Sequence, residues 1–299
     1  MRVFFLLVAC ALALVPQKSD ACAALGAQGP LAIRGEEALI VWDEAHKTEH
    51  FIRRAFFKDA PADFGFLVPS PTRPTLNEVP AMVFDRLFAL YEKPEPVHDT
   101  SSRGPIAAAA AAVAPVTVVA EQKVAGLEAT ILLATDGKAL QTWLAAHRYP
   151  SSPALERWLA PYIRSGAYIT AFKLAGGARS DAPTAVRMSY TAAAPMFPYS
   201  EPASDGTPRP FRLTVVSKSR VEGRLGDQAW SASVGYANFL SRDRIRALLD
   251  GVVPTDAQNA AFVTVFDEPR SVRGSLDLQL RAALRDERVG PSLTTKIAP

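Results

Sequence analysis

The 299-residue sequence predicts an α+β fold, a largely antiparallel sheet with three or four helices packed on it. Three observations carry that prediction. Strand-like alternation recurs: Val186, Met188 and Tyr190 alternate with Arg187, Ser189 and Thr191, and Phe211, Leu213 and Val215 repeat the pattern. Helix-like spacing appears elsewhere, with Val83, Leu87 and Tyr91 four apart and Phe84 and Phe88 beside them. The stretch Ala62–Pro71 then joins the two kinds of element. Phe64, Phe66 and Val68 share a strand face, Pro69 and Pro71 remove backbone donors, and the chain is expected to leave extended towards a helix.

Taken in order, the chain opens on Arg2 and the apolar run Val3–Val15, followed by a short polar segment and small residues. That is the layout of a secretory signal, too short for a membrane span. Cleavage after Ala21 keeps Cys22 as the first residue, and cleavage after Ala23 removes both cysteines. Residues 1–21 are therefore expected to be a signal peptide, and the protein to be exported, periplasmic or secreted. A lipid anchor is the rival reading. Leu7-Val8-Ala9-Cys10 has the residue types but comes very early, and Cys22 lacks the upstream leucine. With at most one cysteine left, an internal disulfide is excluded and the fold rests on its core. No later apolar run approaches about 18 residues, so no transmembrane segment is expected after the signal.

Residues 28–290 read as one α+β domain. Ala38–Trp42 is a short apolar strand, Asp43–Lys47 its polar turn, and His50–Phe57 the returning strand. After the Pro69-Ser70-Pro71 exit, a helix is expected from Pro80 to about Glu92, with Pro80 in the first turn. Residues 93–115, rich in proline and alanine, read as a mobile insertion. Val116–Val119 and Ala129–Leu133 are strands. Asp136 caps a helix carrying Leu140, Trp143, Leu144 and His147 on one face. Ser152-Pro153 opens another, striped by Leu155, Trp158, Leu159 and Tyr162, with Pro161 expected to kink or end it. Strands follow at Tyr168–Leu174, Val186–Tyr190 and Phe211–Val215, then a helix from Ser241 stopped by Gly251. Phe262–Phe266 and Leu276, Leu278 and Leu280 mark two last strands, and 291–299 a flexible tail.

Ala62–Pro71, Leu140–Tyr149, Leu159-Ala160-Pro161-Tyr162 with Tyr168–Leu174, and Val186–Tyr199 together resemble the exported bacterial proteins known as domain of unknown function 2330. The resemblance spans most of the chain behind the leader. It implies export and an envelope setting, and brings no activity, cofactor or catalytic residue with it. Many members place Cys-Gly-Gly after the leader, where this chain has Cys22-Ala23-Ala24.

Charge excludes one function class. Net charge is +3, and no Lys/Arg run interleaved with aromatics appears, so a nucleic-acid partner is not expected. Asp63-Phe64-Gly65 matches the magnesium triplet of protein kinases, but no Gly-rich loop, strand lysine or His-Arg-Asp loop precedes it. His46 and His50, with Glu44 and Glu49, invite a metal reading. Their spacing is not His-Glu-x-x-His, and a solvated turn explains them better. His147 reads as an edge-of-core histidine, His98 lies in the insertion, and there is no Gly-x-Ser-x-Gly elbow. The pairs Glu36-Glu37 and Asp267-Glu268 sit on extended chain, which sends neighbouring side chains to opposite faces, the wrong geometry for a carboxylate dyad. No cofactor, metal or catalytic residue is assigned. The one surface singled out is Pro69 and Pro71 with Phe197 and Tyr199, stiff exits with aromatic neighbours on which a partner's extended segment would dock. The sequence thus points to a non-enzymatic binding or assembly module of the envelope, recognising another envelope protein or component. The alternative is a hydrolase or metal enzyme whose site assembles from distant residues.

Overall fold

The computed structural model describes residues 25–26, 29–30, 33–57, 65–91, 115–149, 151–174, 184–202, 208–259 and 261–290. The expected leader and tail, and the insertion up to residue 114, lie outside them, as do Cys22, Asp63, Phe64 and His98. About half of the described residues are strand and a fifth helical, in three sheets with four α-helices.

In chain order the elements are β1 (Leu25–Gly26), β2 (Gly29–Pro30), β3 (Ile33–Asp43), β4 (Thr48–Phe57), β5 (Gly65–Ser70), β6 (Thr75–Pro80), α1 (Val83–Tyr91), β7 (Val116–Val124) and β8 (Leu127–Ala134). There follow α2 (Gly137–Ala146), α3 (Pro153–Arg164), β9 (Tyr168–Leu174), β10 (Thr184–Thr191), β11 (Met196–Phe197), β12 (Arg209–Ser217) and β13 (Val221–Leu225). The chain ends with β14 (Gln228–Ala229), β15 (Ser233–Phe239), α4 (Arg242–Leu249), β16 (Phe262–Ser271) and β17 (Leu278–Ala282).

A seven-stranded sheet runs β15-β16-β12-β3-β4-β10-β6, a six-stranded sheet β2-β1-β5-β9-β8-β7, and a four-stranded sheet β11-β17-β13-β14. The α+β class holds, while the expectation of a largely antiparallel sheet holds only in part. There are three sheets, and β12 runs parallel to β3 at the centre of the largest. Most of the chain separates those two strands, so no hairpin turn obliges them to run antiparallel.

Side-chain alternation stacks these sheets into layers. Ala38, Ile40 and Trp42 of β3, Phe51 of β4 and Phe211, Leu213 and Val215 of β12 face Val68, Ile131 and Phe172 of the six-stranded sheet and Leu278 and Leu280 of the four-stranded one. The opposite face of the seven-stranded sheet, with Leu39, Val41, Ile52 and Val265, is covered by α1 and α4. The outer face of the six-stranded sheet, with Leu67, Leu132 and Ile169, is covered by α2 and α3. β3 is buried on both sides, which is why Ala38–Trp42 is an unbroken apolar run.

Helix starts are where local chemistry places them. The Asp136 carboxylate accepts from the Ala139 N–H at 2.7 Å, and the Ser152 hydroxyl from the Leu155 N–H at 3.1 Å with Pro153 in the first turn. Ser241 caps α4, and Gly251 follows it with φ +71°, a left-handed conformation that glycine adopts freely.

Three proline readings need correction. Thr75–Pro80 is a strand, paired along its length with β10, and α1 begins only at Val83. β6 is an edge strand, where a proline at the end costs no central ladder bond. Pro69 does not end its ladder either, since it stands opposite Ile169 within β5. On the other side of β5, among the described residues, only Gly65 is paired, with Leu25, and Pro69 has no described ladder partner there that needs its donor. Pro161 neither ends nor splits α3, which continues to Arg164. It forgoes one N–H bond, and the ladder resumes beyond it where the Ser165 N–H donates to the Pro161 carbonyl at 3.0 Å.

Candidate ligand-binding cleft

α3 turns Leu155 and Leu159 into the helix-covered core, and its Trp158 and Tyr162 towards the chain leaving β11. β11 pairs with β17 through Met196 opposite Gln279 and Phe197 opposite Leu278. That pairing sets the segment after β11 beside the segment before β17, and so Ser200 beside Asp277. The indole N–H of Trp158 donates to the Ser200 carbonyl at 3.0 Å and lies 3.1 Å from its hydroxyl oxygen. Tyr162 Oη is 2.6 Å from the Ser200 hydroxyl and donates to Asp277, whose carboxylate oxygens lie at 2.8 and 2.9 Å. The Ser200 N–H donates to Asp277 Oδ1 at 3.0 Å. Between these groups lies a cleft of about 270 Å³, lined among others by Arg157, Trp158, Tyr162, Ser200, Glu201 and Asp277.

Behind the cleft the charges are buried and linked. Glu201 pairs with Arg209 through Oε1, and Arg273 Nε lies 3.8 Å from the same oxygen. Arg273 Nη2 also donates to Glu36 Oε2 at 2.8 Å, and Arg53 Nε to Glu36 Oε1 at 2.6 Å. The Arg273 guanidinium lies 4.1 Å from the ring centres of both Tyr199 and Phe211, a cation–π sandwich. Burial alone would raise the Glu36 carboxyl, but Arg53, Arg273 and Arg209 outweigh it and hold it down to about 2. At Glu201 burial wins over Arg209 and Arg273, and the carboxyl is pushed up to about 7. Glu201 Oε2 is buried and accepts no hydrogen bond among the described residues.

The residues singled out in the sequence fall as follows. Pro69, Phe197 and Tyr199 are buried and present no surface; only Pro71 is exposed. Tyr199 packs between Arg273 and Trp230, and its hydroxyl donates to Glu268 Oε2 at 2.7 Å. The four side chains that invited a metal reading are not brought together, and the solvated turn preferred for them holds for Glu44 and His46 but not for the buried Glu49 and His50. His46 is exposed and its Nδ1 sits 2.6 Å from Asp43, while Glu49 and His50, adjacent on β4, point to opposite faces of the sheet. Glu49 is fully buried, accepting from the Tyr190 hydroxyl at 2.8 Å and the Met196 N–H at 2.9 Å. His50 lies 2.8 Å from the Ser189 hydroxyl on the helix side, and burial holds its imidazole down to about 4. No group of three metal-ligating side chains occurs among the described residues. His147 is exposed and stacked on Trp143 at 3.8 Å, correcting its edge-of-core placement.

Glu36 and Glu37 do point to opposite faces. Glu37 takes two donors from Arg54 Nε and Nη2, at 3.0 and 2.5 Å, on the α1 side. Gly65 has a packing role. A Cβ there would come 2.7 Å from the Phe172 carbonyl and 2.8 Å from the Tyr149 ring, so only glycine lets β5 lie so close to β9. Sequence reading did not find the cleft. Tyr162, Ser200 and Asp277 belong to three separate segments, and only the Trp158–Tyr162 stripe gave any local sign of them.

The profile of a family described as an uncharacterized protein conserved in bacteria, domain of unknown function 2330, matches residues 16–273. The chain belongs to this family. Membership accords with the resemblance drawn from Ala62–Pro71 and Val186–Tyr199, and the family assigns no activity to any of the cleft residues. No curated protein matches the chain. Among solved structures the chain is similar to baculovirus P35, with 8% identity over 87% of this chain and 95% of that one and a TM-score of 0.38. That likeness is too distant to carry an argument.

Proposed function

We propose that the protein is exported, loses residues 1–21, and works in the bacterial envelope as a non-enzymatic module that binds a ligand or partner group in the cleft between α3 and the β11–β17 segments. Export is supported by Arg2 and the apolar run behind it. No described helix is long and apolar enough to cross a membrane. Binding is supported by one observation above all, that the cleft's polar groups are fixed by one another. The Ser200 hydroxyl sits between the Trp158 indole and the Tyr162 phenol, and the phenol is turned to Asp277. A phenol is no base at neutral pH, so this serine is held in place and not activated as a nucleophile. Aromatic walls with a few oriented polar groups are the usual make-up of a recognition site.

Two experiments test the proposal. The intact mass of protein recovered from the envelope fraction is expected to begin at Cys22, and a full-length chain in the cytosol would overturn the export reading. A thermal-shift panel of cationic, neutral and anionic small molecules is expected to yield at least one that raises the melting temperature, with the rise lost in Trp158→Ala. A panel without any response would overturn the binding reading. So would catalytic turnover that Ser200→Ala abolishes.

A further inference from the structure

We infer that the cleft takes a small molecule carrying a single primary ammonium group, which docks between Asp277 and the rings of Trp158 and Tyr162. The inference rests on the binding reading above and adds the chemistry of the ligand. Three features of the cleft argue for it.

The first is Asp277. Its carboxylate is half-buried, accepts only the neutral donors Tyr162 Oη and the Ser200 N–H, and has no cationic partner among the described residues. Each of its oxygens retains lone pairs for a further donor. An ammonium supplies the missing charge, and hydrogen bonds to charged groups are worth about twice neutral ones.

The second is Glu201, which lines the same cleft with a side chain only 1% exposed. Its Oε1 is taken by Arg209, while Oε2 is buried with no donor among the described residues. A buried acceptor left unsatisfied is costly, so this wall of the cleft favours a ligand that brings donors over one that brings further acceptors. The negative end of the cleft is therefore Asp277, since Glu201 is already matched by Arg209 and Arg273. Trp158 and Tyr162 add π faces, their ring centres 5.3 Å apart, and a desolvated ammonium is attracted to such faces.

The third is Arg157, exposed on α3 at the rim. Its guanidinium disfavours a second cation at the outer end of the ligand, so a monoamine fits better than a diamine. The volume of about 270 Å³ is roughly nine water molecules' worth at about 30 Å³ each. That suits a molecule the size of a hexosamine or an amino acid.

Isothermal titration of the exported form with D-glucosamine, N-acetyl-D-glucosamine and 1,5-diaminopentane tests the inference, because the two sugars differ in the charge on their nitrogen. Glucosamine is expected to bind at least tenfold more tightly than its acetylated counterpart, and more tightly than the diamine. Asp277→Asn keeps an acceptor for Tyr162 and is expected to fold, which far-UV circular dichroism checks, yet to weaken glucosamine at least tenfold. Arg157→Ala is expected to narrow the gap between diamine and monoamine. Equal binding of the two sugars, or unchanged affinity in folded Asp277→Asn, would overturn the ammonium inference. If glucosamine is silent while a neutral or anionic compound of the wider panel binds, the inference falls and the binding reading stands. If nothing of any charge binds, both fall.

Discussion

Glu36 and Glu49 lie on neighbouring strands, both fully buried and both facing the space between the sheets. Their neighbours make them opposites. Glu36 meets Arg53 and Arg273 and is held down to about 2, so it is a carboxylate at any ordinary pH. Among the described residues Glu49 meets only the Tyr190 hydroxyl and the Met196 N–H. Two neutral donors do not repay the desolvation of a charge, and the carboxyl is pushed up to about 8 and stays protonated at neutral pH. The same side chain in the same core is therefore an ion at one end of the sheet and a neutral hydrogen-bonding group at the other. Depth of burial does not distinguish them; the presence of a guanidinium does.

The largest expected effect comes from breaking the paired end. Glu36→Gln leaves Arg273 and Arg53 without that carboxylate in a buried setting. Removing one partner of a buried ion pair costs about 3–5 kcal/mol, because the charge left behind stays desolvated. Urea denaturation is expected to show a loss of that size at pH 7. Glu36→Gln is also expected to remove an acid-sensitive component. A depressed carboxyl contributes stability above 4.5, its ordinary value, that is lost as pH falls towards 2.

Glu49→Gln is expected to be milder and opposite in pH dependence. Glutamine mimics the protonated acid, so at pH 4, where folded and unfolded chains both keep the proton, the change is about 1 kcal/mol or less. The folded state keeps a proton that the unfolded chain releases above 4.5, so the wild-type protein loses stability as pH rises from there to about 8. The variant is expected to lack that loss, and the stability difference between the two is expected to grow across this window and then level off. Taking the difference matters because His50, held down to about 4, contributes with the opposite sign between 4 and its ordinary 6.5. Glu201, raised to about 7, acts in the same direction as Glu49.

The smallest effect belongs to the pair in water. His46 is exposed and raised by its hydrogen bond to Asp43 and by that carboxylate's charge. Asp43→Asn is expected to return the imidazole to about its ordinary 6.5 in an NMR titration, with no measurable change in the denaturation midpoint. A large stability loss there would mean that solvent exposure does not weaken these pairs as the comparison requires.

How much of this was legible in the sequence follows the range of each interaction. The caps at Asp136, Ser152 and Ser241 need only the next few residues, and all three stand where local chemistry puts them. The five apolar positions of α1 are all buried, because helical spacing is also local. Glu36 and Glu37 were rightly sent to opposite faces, yet nothing nearby announces Arg273, which arrives from the far end of the chain. β6 read as the start of a helix because Pro80 suits a first turn, and its pairing with β10 lies beyond any local window. Tyr199 read as a surface aromatic beside a proline and is buried on Arg273, a contact again set by distant pairing. The cleft has the same character, since Ser200 and Asp277 meet only once β11 pairs with β17.

The claim that neighbours and not burial decide the charge of these two acids is tested most directly by NMR titration of the protein with ¹³C-labelled glutamate side chains. Glu49 is expected to titrate near 8, with Glu36 still ionised at the lowest pH at which the fold survives. A Glu49 carboxyl that titrates at the ordinary 4.5 would contradict the account, as would a Glu36 that takes up its proton at or above that value.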